Sequence, residues 1–66
     1  MKNNLRIQRA IMNITQAELA EKIQVSRQTI NTIESGKYVP STVLALKMAS
    51  VFGVPVGEIF SLEEGD

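Results

Sequence analysis

The 66-residue chain contains no cysteine, no histidine and no tryptophan, and its one aspartate is the last residue. Without cysteine there is neither a disulfide staple nor a thiolate metal site, and without histidine the commonest other ligand is missing. No serine or lysine has a plausible activating base near it in the sequence, so no catalytic residue, metal site or cofactor is expected and the chain is read as a non-enzyme. No apolar run approaches the ~18 residues of a membrane span. The opening MKNNLR lacks the apolar centre of a secretory signal. A soluble cytoplasmic protein without membrane contact is the expectation. One domain over residues 1–66 is expected as well, and chains this short bury only ~60% of their unfolded surface, which favours self-association.

Net charge is zero, but the charges are segregated. Residues 1–57 hold seven cations (Lys2, Arg6, Arg9, Lys22, Arg27, Lys37, Lys47) against Glu18, Glu21 and Glu34. Glu58, Glu63, Glu64 and Asp66 make the end acidic. Attraction to a polyanion acts within a Debye length of roughly 10 Å, so this local imbalance outweighs the total.

What is present is a succession of helix signals. A first helix is predicted over Leu5 to Met12. Thr15 followed by Glu18 is a capping box opening a second over Gln16 to Ile23. Ser26 caps a third over Arg27 to Glu34, with Gly36 just past its end. Pro40-Ser41 opens a fourth, which runs to Phe52 and stops at Gly53. Pro55 introduces a fifth, Val56 to Phe60. Leu19, Ala20 and Ile23 share one face, as do Ile30 and Ile33, and Val25 sits in the tight turn between these helices. Two short capped helices joined in this way make a helix-turn-helix at about residues 16–35.

The fourth helix is apolar nearly all round, more than so short a chain can cover by itself. Ala45, Ala49, Phe52 and Leu46 are assigned inwards. Leu44, Met48 and Val51, with Val54, Val56, Ile59 and Leu62, are assigned to a homodimer interface. In the first helix either Ile7 and Ile11 or Leu5 and Met12 face the core, and spacing leaves that choice open.

A helix that enters the major groove does so with its N-terminal residues foremost. The third helix begins with Arg27 and Gln28, which can pair with guanine and adenine edges respectively. Thr29, Asn31 and Thr32 follow as further base-reading candidates. Gln16, Lys37, Tyr38, Ser41 and Arg6 are candidates for phosphate contacts, which fix register without reading sequence. Arg9 and Glu34 are read as a partly buried ion pair tying the first helix to the third.

Thr15-Gln16, Leu19-Ala20, Val25-Ser26, Ile30, Ile33-Glu34, Gly36-Lys37 and Pro40 together resemble the Cro/repressor-type (XRE) helix-turn-helix family. The ending GVPVGEIF is similar too, so the likeness spans nearly the whole chain. QVSRQTINTIESGKYVPS looks most like its minimal one-domain branch, related to the cytolysin repressor. The resemblance implies an all-α, five-helix, lambda-repressor-like fold, a twofold dimer and a palindromic operator. It implies that Gln16 meets phosphate, that Arg27 and Gln28 approach bases, and that Arg9 pairs with Glu34. In this branch the chain ends pair as a small β-hairpin, here Lys2 to Asn4 against Phe60 to Leu62. Gln24 departs from the pattern, standing where relatives place glycine; a non-glycine residue there costs of order 1 kcal/mol.

The expected function is therefore sequence-specific binding of double-stranded DNA by a homodimeric transcriptional regulator, in the first instance a repressor. No small-molecule ligand is expected, since no residues remain for a sensing domain. An antitoxin-like or accessory regulator that chiefly binds a partner protein is the alternative. A pure protein-interaction module fits less well, having no need of Arg27, Gln28, Asn31 and Lys37 together.

Overall fold

Hydroxyl caps start three of the helices. The computed structural model describes all of residues 1–66. Thr15 is extended, its Oγ1 accepts the Glu18 N–H at 3.0 Å, and the Glu18 carboxylate accepts the Thr15 N–H at 3.0 Å. Two otherwise orphaned donors are thereby satisfied at the head of α2, Gln16–Ile23. Ser26 Oγ accepts the Thr29 N–H to open α3, Arg27–Glu34. Ser41 Oγ accepts the Leu44 N–H to open α4, Thr42–Phe52. The first helix, α1 (Leu5–Met12), starts differently: Asn4 contributes no side-chain cap, and Asn3 Oδ1 accepts the Leu5 N–H at 3.2 Å.

Three helices end on a left-handed residue, Asn13 (φ 56°), Gln24 (φ 60°) and Gly53 (φ 67°). Asparagine and glycine tolerate that conformation, whereas glutamine at Gln24 holds it against its Cβ. The return is a tight corner between α2 and α3, in which the Val25 N–H bonds the Ala20 carbonyl at 3.0 Å.

The fifth helix is not formed. Val56–Glu58 make a single 3-10 turn, and the chain then extends as a short strand. Gly57 falls in the middle of that turn, and so brief a segment does not repay helix nucleation. The strand β2, Phe60–Ser61, pairs antiparallel with β1, Lys2–Asn3, in the register Lys2 to Ser61 and Asn3 to Phe60. These strands are separated by the whole helical body, so they form a clasp of the chain ends and no hairpin. The domain is mostly helical, with four α-helices and a two-stranded sheet, in place of the expected five-helix all-α fold. Past the clasp, the Met1 ammonium lies 3.0 Å from Glu63 and 3.1 Å from Asp66. The hydrogen bonds that the amine donates to these carboxylates, to Glu63 first, raise its pKa.

The core consists of Leu5, Leu19, Ala20, Ile23, Ile30, Ile33, Met48, Ile59 and Phe60. Ala20 is 3% exposed within this core, where a longer side chain would overpack it. In α1 it is Leu5 that faces inwards, at 0% exposure, while Ile7 (59%) and Ile11 (71%) face out and Met12 is 41% exposed.

The assignment of α4 needs correction. Met48 and Ile59 are buried by their own chain, at 0% and 1% exposure, and have no surface to give a second subunit. Leu46, assigned to the core, is 56% exposed, and Val43 beside it 65%. At 100° per residue, Leu44, Met48 and Phe52 fall on one side of α4, and Leu46 projects from the other. Leu44, Ala45, Ala49, Val51, Phe52 and Val54 are half-buried against the core, whereas Val56 and Leu62 are exposed.

Candidate nucleic-acid interface

The N-termini of α2 and α3 open onto adjoining surface. One shallow cleft is lined by Arg9, Asn13 to Ala17 and Arg27, and its polar neighbour by Gln16, Arg27, Gln28 and Asn31. Arg27 borders both. At the head of α2 the capping box consumes the N–H groups of Thr15 and Glu18, while those of Gln16 and Ala17 find no acceptor in the chain. Free N–H groups at the positive end of a helix dipole form an anion site, here with the Arg27 side chain on the same rim.

Beneath this edge lies a charged brace. Arg9 Nε donates to Glu34 Oε2 at 3.0 Å and Nη2 to Oε1 at 2.9 Å, a forked pair joining α1 to α3. Arg9 Nη1 also donates to the Ile14 carbonyl at 3.0 Å, fixing the loop before α2. The Glu34 side chain is only 3% exposed, so its charge is matched almost wholly by protein donors. A third donor is Gln16 Nε2, 3.0 Å from Glu34 Oε2. The same nitrogen makes a longer contact of 3.5 Å with Asn31 Oδ1.

The helix-turn-helix family model matches residues 5–59. An uncharacterized HTH-type transcriptional regulator of Methanocaldococcus jannaschii is 53% identical over 66 residues, covering all of both chains. The uncharacterized HTH-type transcriptional regulator YgzD of Bacillus subtilis is 44% identical over 64 residues, 97% of each chain. A further such regulator, from Archaeoglobus fulgidus, is 44% identical over 97% of this chain and 90% of its own. The chain belongs to the XRE-type helix-turn-helix family.

Within this helix-turn-helix protein the expected base-reading residues divide into two sets. Arg27, Gln28 and Asn31 are exposed on the outer edge of α3. Thr29 and Thr32 are half-buried and turned back on their own helix. Thr29 Oγ1 lies 2.9 Å from Ser26 Oγ within the cap, and Thr32 Oγ1 donates to the carbonyls of Gln28 and Thr29 at 3.1 and 2.9 Å. The Thr32 hydroxyl thus spends its donor on backbone carbonyls of its own helix, and the Thr29 hydroxyl is engaged with the cap.

The phosphate candidates also differ among themselves. Lys37 and Tyr38 are exposed in the loop after α3. Arg6 is exposed and stands 4.0 Å from Glu34 Oε1. Ser41 is occupied as the α4 cap. Gln16 reaches this edge with its side-chain N–H groups engaged by Glu34 and Asn31, which leaves its unbonded backbone N–H as a donor. Lys22 and Lys47 line a separate cleft between α2 and α4. No helix is long and apolar enough to cross a membrane.

Asn3 was not singled out from the sequence. Its Nδ2 donates to the carbonyl of Ile33 at 3.0 Å, with that of Glu34 at 3.5 Å, while its Oδ1 caps α1. One side chain on β1 thus terminates α3 and initiates α1. No spacing signal could have revealed it, because the partners lie about thirty residues apart.

Proposed function

We propose that this protein binds double-stranded DNA in a sequence-specific manner as a homodimer on a palindromic operator, and represses transcription by occupying a promoter. The observation that carries the reading is the exposure of Arg27, Gln28 and Asn31 on one edge, beside the free N–H groups at the head of α2. Arg27 reads guanine, Gln28 adenine, and Lys37, Tyr38 and Arg6 hold phosphates. The names of the relatives, as transcriptional regulators, support the same role. Such a role places the protein in the cytoplasm, with the chromosome.

The dimer joins through the outer face of α4. Val43 and Leu46, 65% and 56% exposed, form an apolar stripe one turn apart on α4, and Val39 is 59% exposed in the loop before it. Exposed Val56 and Leu62 and half-buried Leu44, Val51 and Val54 complete the surface available to it. Symmetry then presents two α3 helices to successive major grooves, about 34 Å apart. Selection of bound sites from random duplex DNA tests the whole reading. An inverted repeat with half-sites one helical turn apart is expected, and enrichment of no sequence at all would overturn it.

A second reading is favoured by the outer face of α1, where Ile7 and Ile11 are 59% and 71% exposed. An antitoxin-like or accessory regulator would use such a surface to hold a partner protein. Co-purification of a neighbouring gene product, lost in an Ile11→Glu variant that still binds DNA, would establish it.

A further inference from the structure

The brace beneath the reading edge has a direction. Glu34, forked onto Arg9, is a carboxylate with nothing to donate, so whatever touches it must be a donor. The atom of Gln16 that lies 3.0 Å from Glu34 Oε2 is therefore its amide nitrogen, and the side-chain carbonyl points away. The second N–H on that nitrogen faces Asn31 and finds an oxygen there, at 3.5 Å. Asn31 is then left with its own NH₂ free at the surface, within the cleft shared with Arg27 and Gln28. Each amide in the series is oriented by its predecessor, and the series begins at a buried charge.

From this we infer that Glu34, acting through Gln16, is a positioning residue for base specificity: it makes Asn31 a hydrogen-bond donor toward the groove. The inference rests on the DNA-binding reading above and refines it. An unconstrained asparagine pairs with adenine by using both its oxygen and its nitrogen. An asparagine whose oxygen is drawn toward Gln16 selects base edges that offer acceptors, O6 and N7 of guanine or O4 of thymine. It disfavours cytosine, whose major-groove edge presents only the N4 donor. Gln16 accordingly serves specificity through its side chain, and its backbone N–H is the donor left for a phosphate.

Glu34→Gln is the direct substitution, but it strips Arg9 of its partner and threatens the fold. Gln16→Ala cuts the series and leaves the ion pair in place, and Asn31→Asp replaces the outward donor by an acceptor. Affinities of the wild type and both variants are measured against a selected operator and all its single-base-pair changes. In Gln16→Ala, preference at one base pair per half-site should fall about fivefold to tenfold, with the pattern elsewhere kept. Asn31→Asp should move the preference at that same pair toward cytosine. A uniform loss at every position in Gln16→Ala, or no change anywhere, overturns the inference.

A measurement on the free protein separates this from the DNA reading itself. In ¹⁵N spectra the Gln16 side-chain NH₂ should exchange with water more slowly than that of Gln28, and Gln16→Ala should shift the Asn31 NH₂ resonances. Equal exchange at Gln16 and Gln28 overturns the oriented series, whatever the DNA data show. Slow exchange at Gln16 in a protein that binds no duplex overturns the DNA-binding reading, and the specificity role falls with it.

Discussion

Arg9 and Glu34 form a two-pronged ion pair, at 3.0 and 2.9 Å, that links α1 to the last turn of α3. The carboxylate is 3% exposed and the guanidinium 16%, so neither charge has much water to fall back on. Removing one partner alone should cost ~3–5 kcal/mol, most of it the penalty of an unmatched charge. In a domain this small that lowers Tm by at least about 12 °C. The double replacement Arg9→Met with Glu34→Leu should recover much of the loss. Circular-dichroism melts of the two single variants and the double decide the matter; single variants melting within 4 °C of wild type would contradict the assignment.

Gln24 holds φ 60° with a side chain unsuited to it. Gln24→Gly should remove that strain and raise stability by up to about 1 kcal/mol, the relief being partly offset by the greater freedom of glycine in the unfolded chain. A higher urea midpoint with an unchanged m-value is the expected result. A lower midpoint would mean that Gln24 contributes something the backbone angle does not reveal. At Asn13 the same change should yield less, because asparagine already tolerates the conformation.

On the reading edge, Arg27→Ala should reduce discrimination between operator and scrambled DNA, at a cost of ~1–3 kcal/mol on the operator alone. Lys37→Ala should weaken both duplexes alike and flatten the dependence of log K on log salt by about one unit. Titrations at three salt concentrations distinguish the two. Equal loss on both sequences for Arg27→Ala would remove it from the reading set.

Two neighbours on α4 should behave in opposite ways. Leu46→Glu, on the exposed stripe, should leave the melt near that of wild type when measured as a monomer while abolishing dimerisation. Met48→Ala, at 0% exposure, should instead cost ~2–5 kcal/mol of folding stability. Analytical ultracentrifugation and thermal melts, taken together, test the pair. A stable dimer in Leu46→Glu would move the interface elsewhere.

The capping box of α2 gives a pH dependence. Hydrogen bonds from the Thr15 backbone first, and its hydroxyl second, hold the Glu18 carboxylate below its ordinary range. A lowered folded-state value means this stabilisation is fully present above the unfolded carboxylate's ordinary value and is lost as pH falls through the folded one. Glu18→Gln should therefore narrow the stability difference between pH 7 and pH 3. Chemical denaturation of both proteins at the two pH values measures it, and an unchanged difference would refute the contribution.

Much of the architecture was readable before any coordinates, because it is decided locally. Thr15, Ser26 and Ser41 each start a helix through a hydroxyl that needs only its own next three residues. Gly53 ends one for an equally local reason. The fifth helix failed for a local reason and a non-local one: Gly57 interrupts so short a segment, and the buried Phe60 leaves it extended to pair with Asn3. Met48 and Leu46 were exchanged between core and surface because an all-apolar helix carries no pattern to say which side is inside.

What the amino-acid order settled alone was where helices begin and end, and that Arg27 and Gln28 lead the third; caps, turns and periodicity act over a few residues. What the tertiary structure decided was which side of α4 and α1 is buried, how the chain ends clasp, and which way Gln16 and Asn31 point. Those depend on groups far apart in the chain meeting in space, where a buried carboxylate imposes its hydrogen-bonding sense on neighbours that no local spacing connects to it.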